Sequence, residues 1–341
     1  MRSGLRMVDA ASTRPEERLD VLDGWRGLSI LFVLATHLLP LGPKAWRLNE
    51  TSGPVGMALF FTLSGFLITG FLLKHKSVLD FVIRRFFRVV PLAWLFSLVA
   101  LAYVGADASR YFAHFLFYAN LPPFWLTKVT SHFWSLCVEV QFYVGVAVLV
   151  RCLGSRGLLL LVPLCLAVTG YRVWWGAEIS IVTWFRIDEI LAGCVLALVH
   201  YGRLGTAPQT ALRKLNSYVL IVLLLISCHP DSGFMNYLRP YLAAALVGTT
   251  LVNQGAWLPR QLTARPLKYI AEVSFALYVI HPLLAATWLG SGEGWAKYVK
   301  RPLLFGAVFA LAHLSTFQFE HRCIAFGKRL SAALRRRERL A

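Results

Sequence analysis

Repeated apolar runs, each long enough to cross a lipid bilayer, constrain this chain more than any other feature. A helix needs about 20 residues to cross the hydrocarbon. Charged residues make up only 15% of the 341 residues, against about 25% in soluble domains. The sequence therefore predicts an all-α polytopic membrane protein, a bundle of about ten transmembrane helices. The approximate spans are 26–42, 55–73, 89–105, 133–150, 157–174, 183–200, 215–229, 237–253, 267–289 and 299–319.

The distribution of positive charge indicates how these spans are oriented. The net charge is +18, and 25 of the 35 Lys and Arg residues fall on one side of the ten-span arrangement. Because Lys and Arg concentrate in cytoplasmic loops, this bias predicts cytoplasmic N- and C-termini and explains the charge without a nucleic-acid partner. Segment 111–126 is apolar, but Asn120 and a Pro-Pro pair interrupt it. We expect it to be re-entrant or interfacial, since a crossing there would invert everything after it.

The chain is expected to form one membrane unit over residues 21–321, flanked by basic cytoplasmic tails at 1–20 and 322–341. The first 18 residues carry arginines but no apolar core, so the first hydrophobic helix is expected to act as the targeting signal. The six cysteines include no CxxC pair. They are interpreted as small hydrophobic residues, and no metal site is expected.

Ionisable side chains within spans are costly and usually face a bundle interior or a wet cavity. Arg26 and His37 are eleven residues apart, so on a helix they point within roughly 20° of each other, about 16 Å apart along the axis. We expect Arg26 at the cytoplasmic mouth of a channel and His37, a proton acceptor, deep inside it. A histidine that only satisfies an interhelical hydrogen bond is the alternative.

A second cationic element precedes the third span. Arg85 and Arg88 are at i and i+3 and share a helix face, with Phe86 and Phe87 turned toward lipid or core. One interpretation is a cytoplasmic flank that only sets orientation. The other is phosphate binding, for which the guanidinium fork donates two parallel hydrogen bonds.

Polar residues also recur at helical spacing on three spans. The fourth span carries Ser135, Glu139 and Tyr143; the ninth carries Ser274, Tyr278 and His281; the sixth begins with Arg186, Asp188 and Glu189. Such stripes are typical of a hydroxyl-rich ligand or of a helix–helix contact, and spacing alone does not separate the two. We treat these residues, apart from Glu139 and Glu189, as candidates for lining a pore or an acceptor site.

Six blocks of this sequence, in order, resemble the acyltransferase 3 family of membrane acyltransferases. They cover about residues 19–321, and no single block would carry the resemblance. The blocks are LDGWRG at 22–27 with His37, FFTLSGFLI at 60–68, RFFR at 85–88 with Pro91, HFWSL at 132–136 with Glu139 and QFY at 141–143, FRIDE at 185–189 with Gly193, and 274–281.

The resemblance has departures. Val140 stands where many members have a second acidic residue after Glu139, and His321 and Arg322 follow Glu320 without the common proline. An appended hydrolase-like domain is not expected, which favours a stand-alone sugar acyltransferase as the analogy.

The resemblance implies transfer of an acyl group, usually acetyl, from acyl-CoA to a carbohydrate hydroxyl. The acceptor would be an exopolysaccharide, O-antigen or glycolipid, in polysaccharide biosynthesis at a bacterial cytoplasmic (inner) membrane. Acetyl-CoA or another acyl-CoA would be a donor substrate, with no bound cofactor.

A sugar hydroxyl is a weak nucleophile, and a positioned base contributes typically 10²–10⁴-fold. We expect His37 to be that base, with Glu139 stabilising the imidazolium; an acyl-histidine intermediate is the covalent variant. Arg26, Arg85 and Arg88 would hold the CoA phosphates.

Three other functions are alternatives, and the third of them is disfavoured. A transporter or flippase for a lipid-linked sugar would also place His, Glu and Arg on polar stripes, but it would cleave no thioester. An acyltransferase could act on a small glycosylated or macrolide-type acceptor. A non-catalytic membrane sensor or scaffold gives no reason for buried charge on several spans.

Overall fold

The computed structural model describes residues 19–75, 77–292 and 294–340, and within these ranges the chain forms helices and loops without a β-strand. The helices are α1 (Asp20–Leu38), α2 (Leu48–Lys74), α3 (Val78–Tyr103), α4 (Ala108–Phe115), α5 (Trp134–Leu153), α6 (Leu161–Trp174), α7 (Thr183–Arg186), α8 (Asp188–His200), α9 (Ala207–Lys214), α10 (Ser217–Cys228), α11 (Arg239–Val252), α12 (Trp257–Leu262), α13 (Arg265–Ala286), α14 (Gly294–Leu314) and α15 (His321–Leu340).

Among the described residues, six helical stretches are long and apolar enough to cross a membrane, and the bent pair Ala207–Lys214 and Ser217–Cys228 would make a seventh if it forms one span. Four of the six are single helices, namely α1, α2, α3 and α13, and the others are Ser131–Trp174 and Tyr298–Arg336. All ten predicted spans coincide with helices, but α8, α10 and α11 have only 13, 12 and 14 residues. The all-helical membrane architecture is confirmed, whereas the count of ten and the cytoplasmic termini stay predictions.

Local sequence explains where several helices begin. The Ser77 hydroxyl accepts the backbone N–H of Asp80 at the start of α3, and Asn216 accepts two N–H groups at the start of α10. These side chains satisfy donors that the first turn of a helix leaves without an intrahelical partner. Pro40 follows the end of α1, as expected because the residue before a proline disfavours helical geometry.

Segment 111–126 contains no membrane-spanning helix. It holds the end of α4, which has eight residues, followed by irregular chain. Gln141 on α5 fixes that chain by donating to the Phe117 carbonyl at 2.7 Å and to the Asn120 side-chain oxygen at 3.0 Å. The expected re-entrant or interfacial character agrees with this short helix and its side-chain anchors.

Helices α2 and α8 touch backbone to backbone at two glycines. A Cβ on Gly65 would lie 1.9 Å from the Ile190 carbonyl oxygen, and one on Gly193 would lie 2.0 Å from that of Thr62. No side chain fits at either position, so the two helices approach more closely than residues with a Cβ allow.

Large apolar side chains cover much of the outer surface, as a bilayer requires. Trp174 and Trp295 are each 84% exposed, and Trp175 and Trp288 are also exposed. All four lie at or near helix ends, where tryptophan favours the membrane–water interface. Four of the six cysteines are buried and none is in a disulfide, in agreement with their interpretation as small hydrophobic residues.

The segment that the sequence sets apart as a C-terminal tail forms α15 as far as residue 340. A π-helical turn, Ser315–Glu320, joins it to α14. Phe326 packs against Phe87 of α3 with ring centroids 5.2 Å apart. At Gly327 a Cβ would lie 2.7 Å from the Cβ of Phe87. The basic helix α15 is therefore closely packed against α3.

Candidate active site

The three arginines singled out in the sequence line one cleft. Arg26 comes from α1, and Arg85 and Arg88 come from α3. The inner wall of this arginine cleft includes Glu139 of α5, with Tyr143 and Ser274 beside it. The outer part, a cavity of about 350 Å³, is lined by the same three arginines and by further residues of α2, α3 and α15. Three predicted donor-binding residues and three other candidates thus meet at one site.

Glu139 is the carboxylate that lines the inner part of the arginine cleft, and Asp23 of α1 lies 3.9 Å from the Arg26 guanidinium. Its carboxylate accepts a hydrogen bond from the hydroxyl of Ser64 on α2, and both side chains are at least nine-tenths buried. The guanidinium of Arg85 lies over the ring of Tyr143, 5.7 Å from its centroid. Ser64 lies within the block at 60–68, but the sequence did not predict it as a site residue because its partner lies on a different helix.

A layer of three side chains closes the inner end of the arginine cleft. Phe60 stacks on Tyr278, with centroids 6.1 Å apart and rings nearly parallel. The Tyr278 hydroxyl donates to the His132 carbonyl oxygen at 2.6 Å, so Ser135 donates in turn to Tyr278 at 2.5 Å. We call Phe60, Tyr278 and Ser135 the aromatic layer.

The two polar stripes predicted on α5 and α13 face each other across this layer. Ser135 and Glu139 are one turn apart on α5, and Ser274 and Tyr278 are one turn apart on α13. Glu139 and Ser274 line the cleft, whereas the other two are joined by a hydrogen bond. The predicted shared faces are confirmed, and both stripes run from the cleft to the layer.

Three histidines lie beyond the aromatic layer. The ring centroids of His37 and His281 are 5.2 Å apart, and those of His281 and His132 are 5.6 Å apart. His281 and His132 are buried, but His37 is exposed in the last turn of α1. The expectation that His37 lies deep inside is therefore wrong: it opens at the end of α1 away from Arg26.

The hydrogen bonding of His281 fixes its tautomer. Its Nδ1 lies 3.0 Å from the Leu277 carbonyl oxygen, which can only accept, so Nδ1 carries the proton. In the neutral ring Nε2 then holds a lone pair, and within the described chain this buried atom has no hydrogen-bond partner. His281 can accept a proton or a hydrogen bond at Nε2.

Within residues 19–75, 77–292 and 294–340, no group of three or more His, Cys, Asp or Glu side chains is arranged to hold a metal ion.

The charged residues at the start of α8 form a separate buried network. Arg172 of α6 pairs with Asp188 at 2.5 Å, and both side chains are fully buried. Glu189 pairs with Arg186 at 2.9 Å and with Arg239 of α11 at 2.7 Å. The network ties α6, α8 and α11 together. The pore-lining role of Arg186 and Asp188 stays a prediction.

Arg172 and Arg239 were not predicted as part of any site. Each is a single arginine within a predicted apolar span, and that position is itself a signal, since an isolated charge in a span requires a partner. His132 was quoted only as part of a motif. Its position next to His281 depends on the packing of α13 against the start of α5, which spacing along one helix does not reveal.

Comparisons with known proteins find a family model and several relatives that match this chain. A family model for an acyltransferase domain, acyltransferase 3, matches residues 19–317. The chain is 27% identical to the peptidoglycan O-acetyltransferase OatA of Listeria monocytogenes, over 87% of this chain and 54% of that protein. It is 25% identical to YrhL of Bacillus subtilis, provisionally named a peptidoglycan O-acetyltransferase, over 76% of this chain and 47% of that protein.

The chain thus spans about half the length of the curated relatives it matches. No solved structure matches it significantly. Because the family model covers most of the residues, and includes the three arginines of the cleft, the aromatic layer and the histidine cluster, the chain belongs to the acyltransferase 3 family of membrane proteins.

Proposed function

We propose that this protein transfers an acyl group, most simply acetyl, from acyl-CoA to a hydroxyl of a carbohydrate. One observation carries the proposal: the arginine cleft and the histidine cluster lie at opposite ends of the same pair of polar stripes. The O-acetyltransferase names of the relatives support the acyl group, and a cell-wall or surface polysaccharide is the acceptor class that those names favour.

The arginine cleft suits the donor. CoA is a polyanion made in the cytoplasm, and three guanidinium groups can bind its phosphates through paired hydrogen bonds. Arg26, Arg85 and Arg88 would fix the nucleotide end at the cleft mouth, with the thioester arm directed inward past Glu139. This orientation requires the cleft to face the cytoplasm, in agreement with the charge bias of the loops.

The histidine cluster suits the acceptor. His37 is exposed in the last turn of α1, and the carbohydrate would approach it from that end of the helix. In the transfer step an imidazole nitrogen of His37 takes the hydroxyl proton while the sugar oxygen bonds to the thioester carbonyl carbon. The C–S bond then breaks, and the CoA sulfur leaves as a thiolate that takes up a proton.

His281 is the neighbour that can stabilise the protonated form of His37. Its Nε2 lone pair can accept the remaining N–H of the imidazolium. The sequence assigned this role to Glu139, but Glu139 bonds to Ser64 and lines the arginine cleft on the other side of the aromatic layer. We place Glu139 on the donor side instead.

The acyl group has to pass the aromatic layer to reach His37. Phe60 and Tyr278 stack across the inner end of the cleft, so the thioester can advance only when these rings separate. Until the rings separate, this layer would keep water on the acceptor side away from the thioester. It would thereby protect the thioester from hydrolysis.

The test is release of CoA thiol by purified protein given acetyl-CoA, with and without a peptidoglycan or exopolysaccharide fragment. The proposal expects acceptor-dependent release and an O-acetylated product identified by mass spectrometry. A transporter would bind or move the glycan without cleaving the thioester, and that result would reject the proposal. Acetyl retained on His37 after acetyl-CoA alone would show transfer through a covalent intermediate.

A further inference from the structure

The C-terminal helix α15 contributes a cation to the mouth of the arginine cleft. Lys328 lines the outer cavity of about 350 Å³, together with Ile324 of the same helix and Arg84 of α3. Within the described part of the chain, no carboxylate forms an ion pair with Lys328, although Arg84 is held by one. An exposed ammonium therefore faces the cavity without a protein counter-charge.

A buried carboxylate of α3 contacts α15 next to Lys328, in addition to the apolar packing of the two helices. Asp80, 2% exposed at the start of α3, accepts hydrogen bonds from the Arg84 guanidinium at 2.6 Å and from the Ser331 hydroxyl. Arg335 lies 3.3 Å from its second oxygen. Lys328 and Ser331 are three residues apart and share a face of α15. Docking Ser331 on Asp80 therefore also directs Lys328 toward the cavity.

The cationic side chains around the cleft lie at two depths. Arg26, Arg85 and Arg88 line both the inner and the outer parts, whereas Arg84 and Lys328 line only the outer part. A CoA donor carries a pyrophosphate, to which the thioester arm is attached, and a separate 3′-phosphate on its ribose. If the arm points inward, the pyrophosphate lies with the inner arginines and the 3′-phosphate remains outside them.

We propose that Lys328, held over the cavity by the Asp80–Ser331 contact, binds the ribose 3′-phosphate of the acyl-CoA donor. The inference rests on the proposed function and adds a binding residue outside the motifs that suggested it. An ammonium is a compact point charge with three donors and suits a terminal phosphate that needs no fork geometry. The C-terminal helix is then part of the donor site.

The experiment compares acetyl-CoA with 3′-dephospho-acetyl-CoA for the wild type and Lys328→Gln. We expect Lys328→Gln to raise the KM for acetyl-CoA roughly tenfold, as for loss of one charge-assisted contact, with kcat nearly unchanged. With the dephosphorylated donor the two proteins should have the same KM. Lys328→Arg should restore most of the affinity for acetyl-CoA.

Arg329→Gln is the matched control, because Arg329 is exposed on the same helix and does not line the cavity. It should leave the KM for both donors unchanged. An equal rise in KM for both donors in Lys328→Gln, or no rise for either, would overturn the role of Lys328 while acyl transfer itself stands. A wild-type protein that releases no thiol from either donor would instead overturn the proposed function.

Discussion

The imidazoles of His37 and His281 lie with their centroids 5.2 Å apart, one exposed and the other fully buried. Because Nδ1 of His281 donates to the Leu277 carbonyl, the buried ring presents a lone pair rather than a proton at Nε2. A buried acceptor beside an exposed base is the arrangement that orients the base and stabilises its protonated form. In the proposed reaction His37 would transfer the proton and His281 would orient His37.

We expect His37→Ala to reduce acyl transfer to less than a tenth of the wild-type kcat, since loss of a general base costs typically 10²–10⁴-fold. His281→Ala should lower kcat by a smaller factor with little change in the KM for acetyl-CoA, because it orients the base and does not touch the donor. Thiol release under saturating acetyl-CoA measures both effects.

His313→Ala is the control for these substitutions. This histidine contacts Tyr269 on the far side of α13 and lies outside the cluster. It should retain wild-type turnover. If His37→Ala kept more than a tenth of the activity while His281→Ala abolished it, the base would be His281 and not His37.

Replacing Arg85 and Arg88 by lysine distinguishes a role in phosphate binding from a role in membrane orientation. We expect the double variant Arg85→Lys, Arg88→Lys to raise the KM for acyl-CoA by roughly tenfold or more, because lysine keeps the charge but loses the bidentate fork. Membrane topology should be unchanged, since orientation depends on charge. Arg110→Lys, at an exposed pair with Asp107, should alter neither; an unchanged KM in the double variant would leave both arginines as a topological flank.

The buried network at the start of α8 predicts a large effect on stability. Arg172→Met leaves Asp188 buried without its ion-pair partner, which typically costs about 3–5 kcal/mol. The double variant Arg172→Met, Asp188→Asn removes both charges and should recover most of that loss. Thermal unfolding in detergent compares the two. A stable single variant with reduced turnover would favour a ligand-facing role for Asp188.

The cleft and the histidine cluster are expected on opposite sides of the membrane. Lys328, on the C-terminal helix α15, lines the same cavity as Arg26. Asp231 lies within residues 230–236 and pairs at 2.5 Å with Arg47, which follows the end of α1 that carries His37. Reporter fusions at the C-terminus and within residues 230–236 should therefore report cytoplasmic and extracytoplasmic locations, respectively. The same location for both would contradict the proposed path from donor to acceptor.

Features that depend on spacing along one helix could be predicted from the sequence. The shared face of Ser135 and Glu139, and that of Tyr278 with Ser274, follow from helical periodicity and recur in the structure. The grouping of Arg85 and Arg88 in one cleft follows in the same way. Membrane character was equally accessible, because hydropathy is a property of local composition.

Features that depend on contacts between helices could not be predicted. Asp188 and Glu189 also pair with Arg172 of α6 and Arg239 of α11, respectively, and no local pattern shows which of these two distant arginines meets which carboxylate. His37 was expected at depth because distance along α1 was measured from Arg26. Its exposure depends on which neighbouring helices cover the end of α1, and that is a property of the whole bundle.

The glycine contact between α2 and α8 determines which part of the site can move. A carbonyl oxygen of the other helix occupies the place of each Cβ, so no side chain separates α2 from α8 at this contact. Phe60 and Ser64 of α2 therefore belong to the part of the site that is held in place. Helix α13 has Pro282 directly after His281, which removes one backbone hydrogen bond and lets a helix bend there. In the proposed reaction, Tyr278 would have to move away from a stationary Phe60 before each transfer, so the frequency of bending in this one helix would set the upper limit on turnover.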